Sequence, residues 1–325
     1  MGKYILKRLL QMIPVLLGVT LIVFTLMYIT PSNPAHMILG DTATPEQIEE
    51  LEEELGLNQP FLVRFFDYVV GIVTRFDFGD SWFSGEPIVD ELLDRFPKTA
   101  LLAGMSVMLS VAIGVTCGVI AATKQYSIFD NAATTVSLLG VSMPSFWLAL
   151  MLGLIFGVKL KILPVSGSYG PEYWILPVLT LGTGGAASIM RMTRSSMLEV
   201  IRMDYIRTAR AKGQAERVVT TRHALKNALI PVVTVIGIQF GNLLGGSVLV
   251  ESVFAIPGLG KYGVEAIKQR DLPAVLGSVL FLAMTFSFVN LLTDILYSYI
   301  DPRIQTALGT KGRRPMKKKG EEKDA

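Results

Sequence analysis

The sequence predicts an all-α integral membrane protein with six transmembrane helices. Hydrophobic residues make up 51% of its 325 residues and charged residues 18%, whereas a soluble domain averages about 25% charged residues. The apolar residues form long blocks, and blocks of 18 or more indicate membrane helices. The basic residues are concentrated in segments between and beyond these blocks, as expected of loops that face the cytoplasm.

The first predicted span covers residues 9–29 and follows Lys3, Lys7 and Arg8. A secretory signal has an apolar region of about 7–15 residues and a small-residue cleavage site. This run is longer, and no A-x-A sequence follows it. At about 1.5 Å per residue it is long enough to cross a hydrocarbon core of roughly 30 Å. Residues 1–30 are therefore interpreted as an uncleaved N-terminal transmembrane helix.

Five further spans are predicted, at residues 99–123, 133–158, 173–190, 230–250 and 274–297. The fourth span has the weakest pattern because Gly182, Gly184 and Gly185 dilute its apolar content. Such glycines are tolerated inside a bundle, where they let helices approach closely.

The distribution of Lys and Arg predicts the orientation of these spans. Residues 192–229 contain eight basic residues, residues 311–325 seven, and the N-terminus three. An even number of spans places all three segments on one side, which the positive-inside rule assigns to the cytoplasm. Both termini are then cytoplasmic, and residues 31–98 form an extracytoplasmic segment.

That extracytoplasmic segment contains two predicted helices. Thr44-Pro45-Glu46-Gln47 has the pattern of a helix start with proline in the first turn. The acidic helix 46–55 should stop at Gly56. Its acidic face is either a solvated surface or a docking surface for an outside partner. Residues 60–75 are amphipathic and are expected to lie against the bundle or the outer membrane surface. The residues on their apolar face are Phe61, Phe65, Tyr68 and Ile72.

The sequence contains no motif for catalysis, for a cofactor or for a metal. The nucleotide-binding pattern G-x-x-x-x-G-K-[ST] is absent, and residues 255–262 lack its first glycine and its final Ser or Thr. The two histidines, His36 and His223, are far apart, and Cys117 is the single cysteine. The chain is thus expected to be no enzyme and to bind no ATP, Mg²⁺ or other cofactor by itself. A net charge of only +3 gives no support for a nucleic-acid partner.

Ion-coupled transport is also disfavoured, because the second to fifth spans carry almost no ionisable residues. Asp294, in the sixth span, is the exception. It lies within about one helical turn of the predicted cytoplasmic end of the span. Asp294 is therefore either an interfacial residue or a functional acid buried in the membrane.

The cytoplasmic segment 192–229 is the most informative part of the chain. Residues 198–212 are predicted to form one helix, with Ile201, Tyr205 and Ala209 repeating every four residues. Gly213 is a helix stop, and a second helix is expected from about Ala215. Two short basic helices joined at a glycine form either a compact knob below the membrane or a pair lying on anionic lipid.

Three glycines at four-residue intervals, Gly237, Gly241 and Gly245, form a smooth face on the fifth span. This face either packs against another helix or lines a pore. After the span, the loop Pro257-Gly258-Leu259-Gly260 is irregular backbone that suits the lip of a pathway.

The segment 192–229 resembles the cytoplasmic signature E-A-A-x3-G-x9-I-x-L-P of type-1 permease subunits of bacterial ABC importers. Arg207-Thr208-Ala209 stands at the E-A-A position, Gly213 at the glycine, and Leu225 at the leucine. The departures from the signature are similar to those of the dipeptide/oligopeptide/nickel branch. Further segments resemble its B-type subunit across nearly the whole chain, at residues 4–14, 144–147, 163–167, 257–260 and 301–304.

This resemblance implies a permease subunit in the bacterial cytoplasmic (inner) membrane that forms the translocation path for di- or oligopeptides. Its partners would be a homologous C-type permease, two ABC ATPase subunits, an extracytoplasmic solute-binding protein and membrane lipid. Within residues 99–300, the permease core, the loop would couple transport to ATP hydrolysis in the partner subunits. The implied coupling residues are Asp204, Tyr205, Arg207, Thr208, Ala209, Arg210, Lys212, Gly213, Glu216, Arg217, His223 and Leu225.

The candidate translocation-path residues are Met143, Pro144, Ser145, Gly237, Gly241, Asn242 and Gly245. Nickel or glutathione import by the same fold is an alternative. A membrane scaffold without transport, or an ungated channel, is an alternative from another class. Residues 301–325 are expected to be a disordered basic tail near anionic headgroups.

Overall fold

The computed structural model describes residues 2–29, 34–40 and 43–300. The predicted tail 301–325 lies outside them. The described residues are helical apart from short connections and one isolated bridge between Asp80 and Pro87. The N-terminal third contains α1 (Gly2–Ile29), α2 (Pro34–Leu39), α3 (Pro45–Glu54), α4 (Phe61–Arg75) and α5 (Ile88–Thr123).

The remaining helices form most of the bundle. They are α6 (Ile128–Ser142), α7 (Ser145–Leu152), α8 (Ile175–Ile201), α9 (Asp204–Ala211), α10 (Glu216–Val218), α11 (Lys226–Gly246), α12 (Val248–Val253), α13 (Leu259–Gln269) and α14 (Leu272–Ile300). The helix α7 continues as a π-helix (Gly153–Lys159), a 3₁₀ turn (Pro171–Trp174) precedes α8, and a second π-helix (Val219–Leu225) joins α10 to α11.

Five helical segments in the described residues are long and apolar enough to cross a membrane, and a bent pair brings the number to six when it counts as one span. The predicted all-α membrane fold is confirmed. The five segments are Arg8–Leu26, Ile88–Thr123, Pro171–Ile201, Glu216–Gly245 and Leu272–Ile295.

The predicted continuous span 133–158 is wrong in one respect, because α6 and α7 meet at an angle of 101°. The break lies at Met143-Pro144. A proline ring disfavours helical geometry at the preceding residue, and Met143 adopts extended dihedrals (φ −82°, ψ 125°). The span is therefore broken by local sterics, and the bend opens beside α8.

The core of the bundle is the contact between α5 and α8. A Cβ atom added at Gly114 would lie 2.7 Å from the Ala186 carbonyl oxygen, and one at Gly118 would lie 2.6 Å from the Cβ atom of Thr193. These glycines let the two backbones touch, as small residues do in membrane bundles. The segment containing α8 is the most buried of the five spans, which explains why it is glycine-rich and weakly apolar.

The amphipathic helix α4 packs against α1, so its predicted position against the bundle is observed. The ring of Phe65 meets that of Phe24 edge to face at 5.7 Å, and Phe61 meets Phe24 at 5.4 Å. The predicted start of α3 is also observed. The Gln47 amide donates to Thr44 Oγ1 (3.4 Å), and the Thr44 amide donates to Gln47 Oε1 (3.0 Å), which completes a capping box.

The helix α5 begins at Ile88, well before the predicted span start at residue 99. Its 36 residues exceed the roughly 20 that cross a bilayer, so its first turns project beyond the membrane. The preceding turn is fixed to the start of α14. The buried carboxylate of Asp271 accepts hydrogen bonds from the Ser81 hydroxyl and from the amides of Trp82 and Ala274, the last two at 3.3 Å.

Asp294 of α14 forms an ion pair with Arg8 of α1, with 3.1 Å between Arg8 Nη1 and Asp294 Oδ2. The Asp294 side chain is 32% exposed. Its charge is thus paired at the rim of the bundle, which agrees with an interfacial position.

Candidate functional site

The segment between α8 and α11 forms a compact knob, which is here defined as residues 202–226. The predicted single helix 198–212 is wrong, because α8 ends at Ile201 and α9 starts afresh at Asp204. Met203 is extended (φ −70°, ψ 148°). The chain turns there so that α9 packs against the π-helix Val219–Leu225, and the negative charge of Asp204 stabilises the new helix N-terminus.

Burial of apolar side chains holds the knob together. Ile206 is fully buried and Ala209 is 7% exposed, and both belong to a cluster with Met197 of α8 and with Val219 and Ala224 of the following segment. The predicted stripe through Tyr205 missed Ile206, because Tyr205 is 44% exposed. The three-residue spacing of Ile206 and Ala209 was the available signal.

Gly213 ends α9 in the predicted manner. Its φ is +75°, a left-handed conformation that favours glycine. Its amide donates to the Arg210 carbonyl oxygen at 2.9 Å. An added Cβ atom would meet nothing within 4 Å, so the backbone conformation, and not space, requires glycine here.

Polar side chains join α9, which precedes the Gly213 turn, to the helical segment that follows the turn. Arg210 donates two hydrogen bonds to the Glu216 carboxylate, from Nε at 3.1 Å and from Nη2 at 2.7 Å. Those hydrogen bonds raise the pKa of Arg210 further, with the Glu216 charge acting in the same direction and burial opposing it. On the other side, Asn227 donates to the Tyr205 hydroxyl at 2.9 Å.

A further bond within the knob joins His223 Nε2 and Gln214 Oε1, which lie 2.6 Å apart. Leu225 packs against the buried cluster of the knob, and the Thr208 hydroxyl donates to the Asp204 carbonyl oxygen within α9 at 3.0 Å. The structure thus brings the twelve predicted coupling residues into one body.

The outer face of the knob is charged and exposed. Arg207, Lys212 and Arg217 are exposed there. Asp204 makes only a loose pair with Arg207, at 3.6 Å. The cations outnumber the anions in residues 202–226 by seven to two, so this face suits an acidic partner.

An ion pair with a buried carboxylate joins α6 to α8. Asp130, at the start of α6, is 2% exposed. Arg194 of α8 binds its carboxylate in bidentate fashion, with Nε to Oδ1 at 2.5 Å and Nη2 to Oδ2 at 2.8 Å. The Tyr126 amide donates to Oδ2 at 3.0 Å. The sequence analysis did not identify this pair.

A cavity of about 510 Å³ lies between the α6–α7 bend, α8 and α11. Of the candidate path residues, Met143, Ser145 and Asn242 line it, and Pro144 lies between the first two at the bend. The sequence analysis missed three further polar residues of its wall, which are Thr180, Ser188 and Gln239.

The three glycines of α11 have different surroundings, because two of them pack against α14 and one meets open space. A Cβ atom at Gly237 would collide with Thr293 of α14, and one at Gly241 would lie 3.1 Å from the Phe286 ring. Gly237 and Gly241 therefore face α14 and not the cavity. Gly245 is exposed and has no atom within 4 Å of an added Cβ.

The loop after α12 is held by a buried carboxylate. Glu251 is fully buried and accepts hydrogen bonds from the Thr99 hydroxyl (2.9 Å), the Ser247 hydroxyl (2.7 Å) and the Lys261 amide (3.0 Å). A Cβ atom at Gly258 would lie 2.5 Å from this carboxylate. The irregular Pro257-Gly258-Leu259-Gly260 turn is thus a fixed element packed on α5.

Two family models match the chain. The model of the binding-protein-dependent transport system inner membrane component covers residues 114–306, and that of the N-terminal part of the same kind of component covers residues 1–103. Together they account for both the bundle and the segment that precedes it.

Curated relatives cover nearly the whole chain. The chain is 44% identical to the dipeptide transport system permease protein DppB of Alkalihalophilus pseudofirmus, over 94% of this chain and 100% of that protein. It is 41% identical to the glutathione transport system permease protein GsiC of Escherichia coli, over 94% of this chain and 99% of that protein.

Among solved structures, the inward-facing methionine ABC transporter MetNI is similar in fold. One chain of it superposes with a TM-score of 0.57 at 20% identity, over 66% of this chain and 99% of that chain. This likeness concerns the fold alone. Members of the matched family are multi-pass proteins of the bacterial inner membrane that work with ATPase subunits and a binding protein. The chain belongs to this family, the inner-membrane permease components of binding-protein-dependent ABC importers.

Proposed function

We propose that this chain forms one half of the translocation path of an importer for di- and oligopeptides. The observation that carries the proposal is its identity of 44% and 41%, over 94% of its length, to permeases named for dipeptide and for glutathione transport. Glutathione is itself a tripeptide derivative, so both names point to solutes that contain peptide bonds. Both names favour peptides over nickel, and family membership argues against the scaffold and ungated-channel alternatives.

We propose that the knob seats in an acidic groove of a cytoplasmic ATPase subunit. Its charged outer face supplies the attraction, and its buried cluster around Ile206 supplies the stiffness. An ATPase pair that closes on ATP binding would then move the knob as a rigid body. Small shifts at such a contact are amplified into rigid-body rotations of whole domains. The knob continues directly into α8 and α11, so such a movement would reach the cavity walls.

The same proposal fixes the orientation and the assembly. The basic knob and both termini face the cytoplasm, and the acidic segment before α5 faces outside, where a solute-binding protein docks. A homologous C-type permease supplies the other half of the path, and two ATPase subunits complete the complex. The excess of basic residues in the knob supports this orientation through the positive-inside rule.

The test is solute uptake by the reconstituted complex of both permeases and both ATPases with its binding protein. We expect ATP-dependent accumulation of labelled dipeptides and tripeptides in proteoliposomes. A complex without this chain is the control for leakage. Accumulation of Ni²⁺ with no uptake of any peptide would contradict the peptide proposal and favour the metal alternative.

A further inference from the structure

The wall of the cavity carries hydrogen-bonding groups without charge. None of the fourteen residues that line it is ionisable. Its polar side chains are amides and hydroxyls, and Gln239, Asn242 and Ser188 make no side-chain hydrogen bond within the described part of the chain. Their donors and acceptors are thus available to a solute.

We propose that Gln239 and Asn242 are specificity-determining residues that bind the backbone amides of the transported peptide, so that the path does not select for side-chain charge. This inference rests on the proposed peptide import. A neutral amide side chain offers both a donor and an acceptor, which matches the N–H and C=O of any peptide bond. A fixed charge in the same place would instead sort peptides by their own charge.

The two residues are placed to act together. Gln239 and Asn242 are three residues apart on α11, so their side chains lie one above the other on one helix face. Ser188 of α8 lines the opposite wall. A volume of about 510 Å³ falls within the roughly 300–1,000 Å³ that small-molecule sites occupy.

The glycines of α8 make room for this arrangement. A Cβ atom added at Gly185 would collide with both the Gln239 amide and the Ser110 hydroxyl. Gly184 beside it also lines the cavity and has open space. The Gln239 side chain therefore lies across bare backbone. This requirement gives a physical reason for Gly185, one of the three glycines that weaken the hydropathy of the fourth span.

The experiment uses the complete complex in proteoliposomes and three tripeptides that differ in one side chain, namely Lys, Ala or Glu. The binding protein is loaded with each peptide beforehand and added at saturation, so that its own preference does not enter the rate. We expect the wild-type complex to transport all three within about threefold, because backbone groups are common to every peptide.

Two variants test the residues. Gln239→Glu is expected to favour the Lys peptide over the Glu peptide by at least about tenfold, because like charges brought together at a binding surface repel each other. Gln239→Leu removes the hydrogen bonds and should slow all three peptides in equal proportion. The matched control is Asn290→Asp, which introduces the same charge outside the cavity. Asn290 lies on α14 and faces Gly241, where an added Cβ atom would be 3.7 Å from Asn290 Oδ1. Asn290 does not line the cavity. Rates are normalised to the amount of assembled complex.

The outcomes separate this inference from the proposed function. A wild-type complex that transports no peptide overturns both. Peptide transport with strong charge selection in the wild type, or with an unchanged preference in Gln239→Glu, overturns the inference alone. Loss of the partner permease from Gln239→Glu and from Gln239→Leu would also overturn it, by showing that Gln239 is a subunit contact.

Discussion

Arg194 of α8 holds the buried carboxylate of Asp130 through two hydrogen bonds and so ties α8 to the start of α6. The two helices lead to different parts of the proposed mechanism. Beyond Arg194, α8 runs into the knob, whereas α6 runs to the Met143-Pro144 bend at the cavity. This ion pair is therefore a direct physical connection between the proposed ATPase contact and the path.

Removing one partner of this pair should destabilise the protein. Asp130→Asn leaves the charge of Arg194, whose side chain is 27% exposed, without its carboxylate. Breaking a fully buried pair costs about 3–5 kcal/mol, and solvent access at Arg194 makes the cost here smaller. We expect a lower midpoint of thermal unfolding in detergent. The matched control is Asp94→Asn, because Asp94 pairs with Lys98 at the surface and is 75% exposed, and solvent-exposed ion pairs contribute little to stability. Equal midpoints for the two variants would show that the buried pair is energetically unimportant.

The turn at Gly213 should be needed for coupling and not for folding of the bundle. Gly213→Pro is incompatible with the observed φ of +75° and removes the amide that donates to Arg210. We expect the complex to remain in the membrane and to hydrolyse ATP without accumulating solute. Gly245→Ala is the control, because Gly245 also has open space but no left-handed backbone. Wild-type uptake in Gly213→Pro would argue against the coupling role.

The interior and the outer face of the knob should respond differently to mutation. Ile206→Ala removes a fully buried side chain, at a cost of about 2–5 kcal/mol, and should make residues 202–226 sensitive to protease. Arg207→Ala changes an exposed residue, so the free energy of unfolding of the variant should stay within about 0.5 kcal/mol of wild type. The variant complex should nevertheless retain its ATPase subunits less well than the wild-type complex at high salt. If Arg207→Ala keeps full ATPase retention at every ionic strength, the charged face does not form the contact.

Much of this fold was predictable from hydropathy and helix-end signals. The helix start at Thr44 and the stop at Gly213 depend on local backbone chemistry, and both are observed as predicted. Span positions follow from apolar blocks because lipid selects composition over about 20 residues. An average over such a window does not register the steric effect of a single proline, so the bend at Met143 was missed.

The cavity was less predictable because its geometry depends on contacts between distant segments. Gly237 and Gly185 are both glycines in apolar helices, yet Gly237 packs against Thr293 whereas Gly185 accommodates Gln239 at the cavity. The spacing of apolar residues could not separate these two roles, because most faces of α8 and of α11 are apolar or neutral. In the knob, the spacing of Ile206 and Ala209 was a usable local signal, although Met197 and Val219 from outside that helix complete the burial of Ile206.

The central claim is that the knob contacts an ATPase on the cytoplasmic side, and site-specific photocrosslinking in native membranes tests it most directly. A photoreactive residue replaces Arg207 in one variant and Glu50, an exposed residue of α3, in the other, and the captured proteins are identified by mass spectrometry. We predict that position 207 captures an ATPase with a phosphate-binding loop and that position 50 captures none. Capture of the ATPase from position 50, with none from position 207, would contradict both the coupling role and the orientation.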